Sequence, residues 1–254
     1  MSAVDPSLPV LLRSLKLPGF VAHHADLAAR ARDQGWSFET YLRQLVDIEV
    51  ENRAVRRLER NLKASKLPAD KTLANLDRDR LPEPVQRHLP TLCEGDFTRD
   101  GANLLLFGLP GRGKTHVACA VGHELVRRGR RVRFYPAYEL VQELLVARRD
   151  LQLPQTLRRL DRYDAVIIDD IGYVQQTRDE TEVLFTFLAE RYERRSVIIT
   201  SNLVFSEWDR IFKDAMTTAC AIDRLVHHAT ILELTGESYR AESAKRRKAE
   251  GAGR

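Results

Sequence analysis

The chain has 254 residues, 43% of them hydrophobic and 30% charged, with 41 Lys and Arg against 36 Asp and Glu for a net charge of +5. That length and composition suit a soluble globular protein with a sizeable core, and the chain has no internal repeat and no low-complexity segment. The three cysteines, Cys93, Cys119 and Cys220, are too far apart for metal-site spacing and odd in number, which argues against a disulfide framework and fits a reducing cytoplasm. MSAVDPSLPV lacks the charged start and apolar core of a signal peptide, and no apolar run is long enough to span a bilayer.

The first part, residues 1–67, reads as a small all-helical domain. Tyr41, Leu45, Ile48, Val55, Leu58 and Leu62 recur near helical spacing, Ser37 with Glu39 and Thr40 is a candidate start, and Glu49 and Arg53 make a favourable pair four apart. Arg53, Arg56, Arg57 and Arg60 form a basic face, either a solvated helix surface or a stripe that tracks DNA phosphates. Residues 68–84, rich in proline and charge, read as a linker.

From residue 85 to 240 apolar strands alternate with helices. Strands are expected at ANLLLFG (from Ala102), RVRFYP (from Arg131), AVIIDD (from Ala165), SVIITSN (from Ser196) and TILEL (from Thr230). Helical patterns fill the intervals, the first ending at Gly129. This alternation predicts an α/β fold with a parallel sheet covered on both faces. Residues 241–254, with Lys245, Arg246, Arg247 and Lys248, read as a polar basic tail that is a third candidate for DNA contact, beside the arginines around Gly129.

GLPGRGKT, Gly108 to Thr115, matches G-x-x-x-x-G-K-[ST] between an apolar strand and an amphipathic helix. Gly108, Gly111 and Gly113 let backbone N–H groups turn inward around phosphate oxygens, and the helix start adds its positive end. Gly108, Pro110, Gly111, Arg112, Gly113, Lys114, Thr115 and His116 are accordingly the candidate ATP contacts, with Lys114 on the β- and γ-phosphates and Thr115 on Mg²⁺. AVIIDDIGY then poses a puzzle, because two adjacent carboxylates at the end of a buried strand repel each other. A bound Mg²⁺ removes the conflict: Asp169 holds the metal, and Asp170, directed elsewhere by strand alternation, orients or deprotonates the attacking water. Asn202 is a candidate for the γ-phosphate or the water, with Thr200 and Ser201 as rivals. Arg224 is either a contact to a neighbouring subunit's γ-phosphate or a surface ion pair.

GLPGRGKTHVA, VIIDDIGY, ERYERRSVIITSNLVFSEW, IDRLVHHA and GESYR, with SLKLPGF and KTLANLD earlier, together resemble the IstB-type ATP-binding helper proteins of insertion-sequence transposition. These are AAA+ ATPases, a group that includes the helicase loader DnaC. The resemblance implies a five-stranded sheet in the order 5-1-4-3-2 with little or no C-terminal lid. It assigns Lys114 and Thr115 to Walker A, Asp169 and Asp170 to Walker B, Asn202 to sensor 1 and Arg224 to the arginine finger. It also implies a homo-oligomer that assembles on duplex DNA with ATP, selects the target and recruits the partner transposase, with no membrane role. Asp170 departs from the commoner glutamate, and Arg240 is a possible substitute for a lid arginine. Lys71 and Leu76 are candidates to border the adenine. A helicase loader, a small-molecule kinase and a non-hydrolysing scaffold are the competing readings.

Overall fold

The structure is a computed structural model that describes residues 7–173, 177–212 and 215–236. The chain divides into two compact units, Met1–Arg60 and Asn61–Arg254. The division falls inside a long helix, earlier in the chain than the proline-rich segment after residue 65.

The first unit is helical: α1 (Leu8–Ser14), α2 (Pro18–Asp33) and the first part of α3 (Phe38–Ser65). Ser37 caps α3, its Oγ accepting from Thr40 N at 3.1 Å. Leu12, Leu27 and Leu45 are buried. Glu49 is buried as well, and its carboxylate accepts from Gly19 N at 2.7 Å and from Arg53 Nε at 2.7 Å. Burial alone would raise the Glu49 pKa, but the bonds from Arg53 and Gly19 outweigh it and hold the carboxyl below its ordinary value.

In the second unit, β1 (Asn103–Phe107), β2 (Val132–Pro136), β3 (Ala165–Asp169), β4 (Ser196–Ser201) and β5 (Ala229–Glu233) form one sheet in the order β2-β3-β4-β1-β5, every pairing parallel. This is the order that the family resemblance implies. The central strands β1, β3 and β4 are buried almost throughout, as continuous apolar runs require. The intervening helices are α5 (Lys114–Arg127), α6 (Ala137–Arg149), α7 (Leu153–Leu160), α8 (Arg178–Arg191) and, after the short α9 (Asp209–Phe212), α10 (Ala215–Val226), while α4 (Glu83–Glu94) precedes β1. Gly129 ends α5 in the left-handed region at φ 83°, its N–H bonding Val126 O and that of Arg130 bonding Leu125 O. Thr177 and Glu180 make a reciprocal capping box at the start of α8.

Two features steady the sheet, one at each end of its strands. Trp208 is fully buried beside Phe107, Phe205 and Phe212, and its Nε1 donates to Leu203 O at 3.2 Å. Arg191 is buried and donates to the carbonyls of Leu160, Tyr163 and Ser196, tying the end of α8 to α7 and to β4. Burial lowers its pKa to about 9, which still leaves it charged at neutral pH.

Candidate functional site

The sheet order sets the site. β4 lies between β1 and β3, with Phe107 in register with Ser201 and Ile168 with Ile199. The residues that follow these strands, Gly108, Asn202 and Asp170, are therefore brought to one edge of the sheet. Ligands of open α/β sheets bind at this carboxyl edge.

The loop after β1 has three glycines with positive φ: 143° at Gly108, 82° at Gly111 and 89° at Gly113. At Gly108 the need is steric as well, since a Cβ would come within 2.4 Å of Leu234 O. Leu234 is fixed there because its N–H donates to Phe107 O at 2.7 Å. Lys114, the first residue of α5, is buried, and its Nζ donates to Gly108 O at 2.6 Å, Leu109 O at 3.0 Å and Asn202 Oδ1 at 2.7 Å. The buried ammonium is thus encircled by the loop that it closes.

The paired aspartates join the same network. Thr200 Oγ1 donates to Asp169 Oδ1 at 2.7 Å and accepts from Asp170 N at 2.8 Å. Asn202 Nδ2 donates to Asp170 Oδ1 at 2.8 Å. Strand alternation was expected to direct Asp170 away. Instead β3 ends at Asp169 and Asp170 turns into the left-handed region at φ 62°, which brings its carboxylate back beside Asn202. A non-glycine residue there costs about 1–3 kcal/mol unless its surroundings hold it. Here the Thr200 and Asn202 bonds do so. Gly172 contributes by allowing close packing, because a Cβ there would lie 2.8 Å from Leu203 Cγ.

The three polar residues closing β4 have distinct places. Thr200 bridges the two aspartates, and Ser201 Oγ bonds the Leu203 carbonyl and amide to close the turn. Asn202 bonds both Lys114 and Asp170.

Beside the loop is a cavity of about 520 Å³, lined by Gly111, Arg112, Gly113, Lys114, Thr115 and His116 on one side and by Lys71, Asn75, Leu76, Asp77, Arg80 and Leu81 on the other, with Thr235. The segment before α4 is therefore no free tether. His116 Nε2 donates to Thr72 O and His123 Nε2 to Pro68 O, both at 3.0 Å, strapping residues 68–81 onto α5. Sequence reasoning placed Lys71 and Leu76 near the base but missed the histidine straps, which no motif marks. Pro110 is exposed on the loop. Cys119, on the same helix, is inert: burial first, then the Asp169 charge, pushes its thiol up to about 12.

A magnesium–nucleotide fits these residues. The positive-φ glycines, the α5 start and the buried Lys114 cation suit phosphates, and the cavity is of the size of ordinary cofactor sites. Thr115 and Asp169 supply the hard oxygen donors that Mg²⁺ prefers.

Arg224 is not brought to this edge. Near the end of α10, it lies by the opposite end of β1, where Asn103 Nδ2 donates to Leu225 O at 3.0 Å and Asn103 N to His228 O at 2.7 Å. The five residues of β1 put roughly 16 Å between the two ends. The guanidinium lies 4.9 Å from the Phe185 ring, and its buried Nη1 has no hydrogen-bond partner among the described residues. Arg56, Arg57 and Arg60 are exposed on α3. Arg53 is also exposed but is engaged, donating to Glu49 and, at 2.9 Å, to Lys16 O. Lys245, Arg246, Arg247, Lys248 and Arg240 lie outside the described residues, as does the expected absence of a lid. No helix among the described residues is long and apolar enough to cross a membrane.

Comparison with known proteins agrees with this geometry. An insertion-sequence ATP-binding protein of Sinorhizobium fredii is 43% identical over 241 residues, covering 94% of this chain and 81% of the relative. Among solved structures, the replication initiator DnaA bound to AMPPCP and single-stranded DNA aligns with a TM-score of 0.57 at 18% identity, over 73% of this chain and 56% of DnaA. The DnaC helicase loader aligns with a TM-score of 0.51 at 18% identity, over 69% of this chain and 99% of DnaC. These likenesses show the P-loop AAA+ fold. A family model described as IstB-like ATP binding protein matches residues 10–249, and the chain belongs to that family.

Proposed function

We propose that this chain is a cytoplasmic, ATP-hydrolysing regulator of insertion-sequence transposition. In this reading it oligomerises on duplex DNA, selects the target and recruits and stimulates its partner transposase. The observation that carries the ATPase reading is the chain of contacts from Lys114 through Asn202 to Asp170, beside the phosphate-type loop.

Bound Mg²⁺ would neutralise phosphate charge and draw electrons from the γ-phosphorus. The residues do the rest. Backbone N–H groups of the 111–113 turn and the Lys114 ammonium hold the phosphates. Thr115 and Asp169 would hold the metal, and Asp170 takes a proton from the water that attacks the γ-phosphorus as the bond to the β-phosphate oxygen breaks and ADP leaves. Asn202 keeps Asp170 oriented and senses the γ-phosphate through Lys114. Lys71, Leu76 and the strap give the base its wall. Arg224, remote from its own loop, serves the loop of the next subunit, where its charge stabilises the transition state.

The DNA contacts assigned to this reading are Arg53, Arg56, Arg57 and Arg60, with the tail basics Lys245, Arg246 and Arg247. They would give backbone contacts with little sequence preference. The likeness to DnaC keeps a helicase loader as the second reading. The test is electron microscopy of the full chain on duplex DNA with ATP or ADP, joined to pull-downs with the cognate transposase and with a replicative helicase. ATP-dependent filaments or rings that retain transposase support the proposal. Helicase capture alone, or no assembly with ATP, overturns it.

A further inference from the structure

Two turns at the amino-terminal edge of the sheet carry a cluster that the ATPase reading does not use. One joins α8 to β4 and holds Glu193. The other joins α10 to β5 and holds His227 and His228. One donor atom from each of the three residues lies within 4.8 Å of the other two. Glu193 Oε1 is 3.5 Å from His227 Nδ1 and 3.9 Å from His228 Nε2, and the two imidazole rings are 4.1 Å apart. The Tyr192 hydroxyl is 2.8 Å from His227 Nδ1.

We propose that Glu193, His227 and His228 form a site for a divalent transition metal of the zinc class. Two imidazoles and one carboxylate are a donor set for Zn²⁺ rather than for Mg²⁺, which takes oxygen. Bonds of about 2.0–2.2 Å in a tetrahedron place donors roughly 3.3 Å apart, so side-chain rotation suffices to close the observed spacings. Water or the Tyr192 hydroxyl completes the fourth position.

The backbone is already fixed for this. Glu193 adopts the left-handed φ of 55°, and Gly101 packs so closely on the turn that a Cβ would meet Glu193 C at 2.9 Å. His228 O accepts from Asn103 N at the start of β1. About half of each side chain is exposed, which gives an ion an entry path. A bound metal cross-links the α8–β4 turn to the α10–β5 turn and so steadies the end of α10, because His227 lies three residues beyond Arg224.

The test uses the full chain, stripped with EDTA and free of nucleotide, titrated with Zn²⁺ against a chromophoric chelator. One equivalent is expected to bind with micromolar or tighter affinity. Co²⁺ should give visible ligand-field bands without a thiolate charge-transfer band. His228→Ala and Glu193→Gln should each weaken Zn²⁺ binding at least about tenfold, with metal-free melting temperatures matching wild type, while Cys220→Ser leaves affinity unchanged. Absence of saturable binding, a thiolate band, or equal affinity in wild type and both variants would overturn the site. If either variant melts early, the wild-type Co²⁺ spectrum decides between nitrogen–oxygen ligation and its absence. No readout depends on ATP, so failure here leaves the ATPase reading untouched.

Discussion

Lys114 Nζ donates to Asn202 Oδ1 across 2.7 Å, joining the start of α5 to the end of β4, although 88 residues separate the two in sequence. The bond is sheltered by the buried lysine stem, and the same amide donates onward to Asp170. Asn202 thus bonds both Lys114 and Asp170.

Lys114→Ala removes the buried cation from the loop. Nucleotide affinity and turnover should both fall, turnover by about 10²-fold or more. Fluorescent ATP-analogue binding and phosphate release measure this. Normal ATPase activity in the variant would refute the cradle assignment.

Asn202→Ala deletes both bonds but leaves the loop. Binding should stay within about tenfold while kcat drops by about 10²-fold. Asp170→Asn keeps an acceptor for Asn202 Nδ2 and removes only the basic charge, so it should bind nucleotide and fail in turnover. A fall in affinity without a fall in kcat would place these residues in ground-state binding instead.

Arg224→Ala should bind ATP with near wild-type affinity and lose about 10³-fold in turnover of the assembled protein. Mixing it with Asp170→Asn should restore part of the activity, because some interfaces then pair an intact arginine with an intact carboxylate. No rescue at any ratio removes the role between subunits.

Much of this site is legible in the sequence. The glycine-lysine-threonine string lies between a strand and a helix, and the apolar runs alternate with helices closely enough to give all five strands within a residue or so of each end. The parts that were not legible depend on single backbone turns or on distant contacts. Asp170 departs from strand alternation because β3 stops one residue sooner, and no local pattern announces a left-handed aspartate. The strap over α5 is held by two histidines bonding main-chain carbonyls 44 and 55 residues away, a contact available to any sequence with a carbonyl there. Thr200, Ser201 and Asn202 look alike as polar strand ends, and only register separates them.

Gly108→Ala should destabilise the protein by about 2 kcal/mol or more, through left-handed strain and the clash with Leu234 O. Nucleotide binding should weaken alongside. Thermal melts with and without ATP check both; a variant as stable as wild type and fully able to bind would show that the loop tolerates a side chain there.

Glu49→Gln should destabilise the helical unit by about 1 kcal/mol at neutral pH, since it weakens bonds from Gly19 and Arg53 to a charged acceptor. A carboxyl held below its ordinary value of 4.5 contributes stability above that pH and loses it as the pH falls through the lower folded value. The gap between wild type and variant should therefore close in acid. Hydrogen exchange of the α2 and α3 amides, followed from pH 7 down through the acid range below pH 4, measures it, and a gap that is constant with pH would contradict the assignment.

The histidine-strapped segment has a mechanical consequence. The chain leaving α3 is stapled to α5 and supplies one wall of the cavity before it continues into α4. The wall of the cavity is thus a length of main chain, so a change in its path is a change in the shape of the pocket.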